Sequence, residues 1–136
     1  MKGEISMAGY IKNIPTEEVF SLTEQVGYLP GQAVSRTISQ NDEQSLTIFA
    51  FDKREEISSH SSHGDGLITE LDGEGKITID GRPFILHKGE SILMPAGKPH
   101  AVFAQEKFKM FLAVIFPLPK NQNNRVFAAR AMLRRI

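Results

Sequence analysis

The sequence predicts an all-β domain built from short antiparallel strands, a sandwich or small barrel. Three observations carry that expectation. Apolar residues alternate with period two through the middle of the chain, as in "SLTIFAFD" from Ser45 to Asp52. Turn signals punctuate the following segment at "DGEG", "DGRP", "HKGE" and "PAGKP". Gly73, Gly81, Gly89 and Gly97 recur every eight residues, the pace of tight turns joining strands of five to six residues. The 136 residues, with 40% hydrophobic content, suffice for one packed core.

In the first strong strand, Leu46, Ile48 and Ala50 alternate with Thr47, Phe49 and Phe51. Both sets suit a pleated surface, so this strand is expected to be covered on both faces, with Ile48 and Ala50 turned to the core. The last strand, "FKMFLAVIFP", sets Phe108, Met110, Leu112, Val114 and Phe116 against Phe111, Ala113 and Ile115. It too is apolar on both sides, and one face needs cover beyond the core. That second face predicts a homodimer, with Phe49, Phe51 and Ile115 on the proposed contact and the N-terminal strands as exchange partners.

The ends read differently. "IPTEEVFSLTEQVGYLPG" fits a Thr16-capped helical turn or a strand through Val19, Phe20 and Leu22, and the strand is favoured here. After the polar linker "PLPKNQNN", Val126, Ala129, Leu133 and Ile136 fall at helical spacing, which predicts a short C-terminal helix. Residues 1–33 are thus expected to form an extension packing on the barrel or on a partner, 34–117 the barrel, and 118–136 a linker and helix.

Composition excludes several classes of function. Sixteen basic residues against 16 acidic ones give no overall positive field for nucleic acid or anionic lipid. Four arginines near the C-terminus, Arg125, Arg130, Arg134 and Arg135, do not change this, because a surface helix is the commoner explanation and too few residues remain for a helix-turn-helix. The absence of cysteine removes disulfides and thiolate ligands, leaving any metal to His, Asp, Glu or Gln. The N-terminus has no apolar leader and the longest apolar run, Met110–Phe116, is too short to cross a bilayer, so a soluble cytoplasmic protein is expected.

The stretch "SSHSSHGDG", Ser58 to Gly66, carries the functional question. From Gly89 the chain reads "GESILMPAGKPHAVFA", which resembles the second cupin motif, G-x5-P-x-G-x2-H-x3-N, through Gly89, Pro95, Gly97 and His100, with Ala104 in the place of the closing Asn. The first cupin motif, G-x5-H-x-H-x3/4-E-x6-G, lies over Arg54 to Gly73 with its spacing kept: His60 takes the first histidine position, Ser62 the second, Gly66 the acidic one, and Gly73 the closing glycine. Arg54 stands at the opening glycine, and fifteen residues separate the two motifs. This resemblance implies an antiparallel jelly-roll barrel, the cupin double-stranded β-helix, with His60 and His100 meeting across one pocket.

The resemblance also implies a metal site of three histidines and a carboxylate or amide, suited to Mn, Fe, Ni, Cu or Zn. Two of the four positions are kept, so a divalent transition metal would be held weakly by His60 and His100, with His63 as the candidate third ligand if the segment bulges. Ser62, Leu71, Met94 and Met110 are expected to line the pocket, with Ile48, Ala50 and Leu112 adding to its wall. His87, at the turn "LHKGE", is read as an ordinary surface histidine. Asp65 and Glu70 are candidate general bases by proximity alone, and Glu70 is expected to face water if its neighbour Leu71 faces the core. The functional expectation is a stand-alone cupin binding a small polar or anionic molecule. Its rivals are a metal-dependent oxygenase or isomerase and a metal-free enzyme moving a proton through His60 or His100.

Overall fold

The computed structural model describes residues 10–117. The C-terminal helix expected over residues 125–136 lies outside them, as do residues 1–9. Nine strands follow in chain order: β1 (Ala33–Gln40), β2 (Gln44–Phe51), β3 (Glu56–His60), β4 (Asp65–Gly73), β5 (Gly75–Ile79), β6 (Arg82–Leu86), β7 (Ser91–Met94), β8 (His100–Phe103) and β9 (Phe108–Ile115). They form two sheets, ordered β1-β2-β9-β4-β7 and β3-β8-β5-β6, and every pairing is antiparallel. Among the described residues no helix is long and apolar enough to cross a membrane.

Turn chemistry closes the strands where the glycine spacing predicts. Asp80 and Gly81 both have positive φ, 50° and 81°, the backbone that a two-residue hairpin needs to follow the twist of β5 and β6. The strands then pack their inner faces together. Phe51, Ile68, Ile77, Ile79, Leu86, Met94, Val102, Phe108 and Met110 form one buried cluster between the sheets, and the rings of Phe51 and Phe108 stack with centroids 4.8 Å apart.

The structure reverses the expected facing of β2. Phe51 belongs to the inner core and Phe49 packs against it, whereas Ile48 and Ala50 lie in a second cluster with Val26 and Ile38, joined by Ile14, Leu22, Tyr28, Leu71 and Phe111. With both faces of β2 apolar, alternation fixes which residues share a face but not which face is inside. The register settles it: Phe49 pairs with Met110, and Met110 is buried between the sheets.

The segment before β1 covers this second face. The strand expected through Val19–Leu22 does not form; a single 3-10 turn occupies Leu22–Gln25, with Asn13 and Glu17 at positive φ breaking any extended run. Apolar anchors dock one by one instead, and polar contacts fix them. Tyr28 Oη donates to Asp72 Oδ2 at 2.6 Å, Lys109 Nζ donates to the Thr23 carbonyl at 2.7 Å, and the Lys12 backbone N–H donates to the Ile38 carbonyl at 2.9 Å. The chain's own N-terminal segment therefore hides much of the apolar surface from which a partner chain is argued, and Phe49 and Phe51 are not on it.

β4 carries a register shift between Glu70 and Asp72. Glu70 pairs with Met110 and Asp72 with Lys109, leaving Leu71 as the extra residue of a bulge. Glu70 precedes the shift and, by plain alternation with Gly66 and Ile68, is buried inside, 1% exposed, while Leu71 packs on the outer cluster and the bulge keeps Asp72 on that outer side, where it meets Tyr28. Leu71 therefore does not line the barrel interior, and Glu70 is no solvated charge.

Candidate functional site: a histidine pocket at one end of the barrel

A second irregularity makes the site. Ile57 pairs with Val102 and His60 with His100, so three steps along β3 match two along β8. This bulge sets the two histidines opposite each other, with ring centroids 4.4 Å apart and planes at 68°. His60 Nδ1 lies 2.9 Å from the Ser58 carbonyl and His100 Nδ1 lies 3.3 Å from the Lys98 carbonyl. A carbonyl only accepts, so each Nδ1 carries the hydrogen and each Nε2 is the nitrogen left for a ligand. His100 is buried, and that burial, aided by the neighbouring His60, lowers its pKa and favours the neutral ring.

The pair opens on a cavity of about 380 Å³ lined by His60, Ser61, Ser62, His63, His100, Gln40 and Ser45 on its polar side, with Met94, Leu112, Val114 and Phe116 on its apolar side. Among the described residues no carboxylate side chain lines it. Ser62 shapes the mouth, its carbonyl accepting from Gly97 N–H at 2.8 Å and its hydroxyl from Gly64 N–H at 3.1 Å. Asp65 Oδ1 accepts from Ala96 N–H at 2.8 Å, so it ties the "PAGKP" loop to β4 rather than facing the pocket. His63 sits at the rim with its ring stacked on Phe116, centroids 4.9 Å apart.

The sequence expectations thus divide. His60, His100, His63, Ser62 and Met94 come together at the cavity. Met110 lies in the inner core and Leu71 on the outer cluster, and neither lines the cavity. His87 is at the far end of the barrel, its ring nitrogens 2.8 Å from Glu74 and 3.1 Å from Glu90. Gln40 and Ser45, from the ends of β1 and β2, are cavity residues that the motif pattern does not reach; for Val114 on β9 and Phe116 just beyond it, the inward alternation is a usable signal.

The Cupin domain family matches residues 47–116 of the chain. The protein is a cupin. No curated protein sequence matches it. Among solved structures, this cupin is similar to a conserved Streptococcus pyogenes protein of unknown function at 42% identity, TM-score 0.81, over 83% of this chain and 99% of that one. A cupin superfamily protein from Desulfitobacterium hafniense aligns at 28% identity, TM-score 0.76, over 80% and 100%. A cupin 2 conserved barrel domain protein from Leptotrichia buccalis aligns at 45% identity, TM-score 0.69, over 71% of this chain and 47% of that one.

The metal that many cupins carry does not fit the donor set of this one. At the acidic motif position, a Cβ on Gly66 would stand 2.9 Å from Met94 Cε and 3.4 Å from Leu112 Cδ1, so a thioether methyl fills the space where a carboxylate would begin. Ser62, at the second histidine position, is engaged with the backbone of its own turn. Among the described residues no group of three or more His, Cys, Asp or Glu is arranged to hold a metal ion, and two imidazoles alone are a weak site.

Proposed function

We propose that this cupin binds a small polar or anionic molecule in the histidine pocket, without a metal as intermediary. The observation that carries this reading is the His60–His100 pair across a bulged register, opening on a cavity that the described residues line with serine and glutamine side chains and no carboxylate. Such a lining offers hydrogen bonds and does not repel an anion, while Met94, Leu112, Val114 and Phe116 give a non-polar wall for the rest of the ligand. The metal-dependent oxygenase or isomerase needs a donor set that Gly66 and Ser62 do not supply. The proton-moving enzyme has its imidazoles, His60, His63 and His100, but no carboxyl group beside them among the described residues that line the cavity.

Binding of a panel of small carboxylates, phosphates and polyols to tag-free, chelator-treated protein tests the reading. Any member that binds is expected to lose at least about tenfold in affinity in His60→Ala and His100→Ala and to keep it in His87→Ala. Equal affinity in all three variants, or binding that appears only when a divalent metal is added, contradicts it.

A homodimer remains part of this reading on a smaller surface. Leu67 faces Leu93 across the β4–β7 register, and these two and Ile115 are 45%, 54% and 56% exposed on the outer sheet face. Light scattering on wild type and Leu93→Glu tests it: a monomeric mass for the wild type refutes the dimer.

A further inference from the structure

The end of the barrel away from the pocket holds the one buried acid found among the described residues. Glu70 shares the inward face of β4 with Gly66 and Ile68 and pairs with Met110 on β9. Both of its carboxyl oxygens are buried with no hydrogen-bond partner. Its backbone, by contrast, is clasped by the β6–β7 loop: its N–H donates to the Glu90 carbonyl and its carbonyl accepts from Gly89 N–H, each at 2.9 Å.

Among the described residues the charged groups around it offer no counter-charge. Asp72, beyond the bulge, is turned outward and accepts from Tyr28. Glu74 and Glu90 are taken by His87. Lys109 is directed to the Thr23 carbonyl, and both Lys109 and Lys107 lie over the Tyr28 ring, 5.1 and 4.9 Å from its centroid. A carboxylate cut off from water and from every cation is far costlier than a neutral carboxyl in the same place.

We infer that Glu70 stays protonated in the folded protein at neutral pH and acts as an alkaline-sensitive latch: losing that proton loosens the end of the barrel where the β6–β7 loop clasps β4. Burial first, then the charges of Asp72 and Glu74, push its pKa from 4.5 to about 9. Because the folded value lies above the unfolded one, folding takes up a proton. The stability gained is complete below about pH 4.5 and is lost as pH rises towards about 9. His87 works in the same direction, since its hydrogen bond to Glu90 raises its pKa, and the clasp weakens as its charge is lost. Glu90 works against it in acid: the His87 backbone and side chain lower its pKa, so its contribution is lost as pH falls.

The test is equilibrium urea unfolding across neutral pH, with infrared detection of protonated carboxyl. In wild type the unfolding constant is expected to rise by about tenfold per pH unit between about pH 6 and about pH 8. Glu70→Gln is expected to lose most of this dependence, and His87→Ala to lose only the smaller part contributed by the clasp. Wild type labelled at glutamate should show the carbonyl stretch of a protonated acid at neutral pH that disappears on titration past about pH 9. A pH dependence unchanged in Glu70→Gln overturns the inference. If that variant does not fold, absence of the infrared band in wild type at neutral pH overturns it equally.

Discussion

The two ends of the barrel use the same residue types in opposite ways. At the pocket end, His60 and His100 each spend one ring nitrogen on a backbone carbonyl and leave the other to a cavity that no described carboxylate lines. At the far end, His87 has both ring nitrogens against carboxylates, Glu74 and Glu90, and Asp72, Tyr28, Thr23 and Lys109 satisfy one another. Imidazoles with a spare nitrogen beside a cavity make a site. An imidazole held between two acids makes a clasp. On the proposed reading, binding belongs to one end and closure to the other.

The largest effect expected from breaking this contrast lies in the core beneath the clasp. Phe108 stacks on Phe51, and a Cβ added to Gly75 would stand 2.7 Å from the Phe108 ring, so the ring fills the space that glycine leaves. Phe108→Ala is expected to cost about 3–5 kcal/mol in urea unfolding. A loss below about 1 kcal/mol would show that the far end is not a packed closure.

Next in size is the outer face. Tyr28→Phe removes the donor to Asp72 and is expected to destabilise the fold by about 1–2 kcal/mol while leaving ligand affinity at the histidine pocket unchanged. The same experiment sharpens the comparison, because a change in affinity would couple the two ends. Gly75→Ala gives a purely steric version of the Phe108 test, and it is expected to destabilise less than Phe108→Ala because a ring can shift where a cavity cannot fill.

The effect most informative about chemistry is expected at Gly66, and it is read in ligand affinity rather than in stability. Gly66→Glu places a carboxylate against Met94; combined with Met94→Ala to make room, it gives His60 and His100 a third donor. That double variant is expected to gain measurable affinity for zinc over wild type and to lose affinity for anions. Equal zinc affinity in the two proteins would show that Gly66 and Met94 are not what sets this pocket apart.

Much of this was legible in the residues. Glycines at eight-residue spacing and alternation in β2 and β9 gave the strands, and the two spaced motifs brought His60 and His100 to one place. What escaped had separate physical origins. The facing of Glu70 escaped because its neighbour Leu71 is covered on the outer face, so an apolar residue there does not mark the inside. The bulge at Leu71 turned only Asp72 outward, the bulge after Ile57 aligned His60 with His100, and neither bulge leaves a mark in hydrophobic period. The facing of β2 escaped because both of its sides are apolar, and the N-terminal cover because single anchors such as Val26 and Tyr28 carry no period at all.

The most direct test of the central claim is a long-range proton–nitrogen spectrum of the four histidines in chelator-treated protein, recorded as small carboxylates, phosphates and polyols are added. The account predicts His60 and His100 in the Nδ1–H form, moving together when a ligand binds, with His87 unmoved. If no compound shifts His60 and His100, or if they respond only once a divalent metal is present, the histidine pocket is not the metal-free binding site described here.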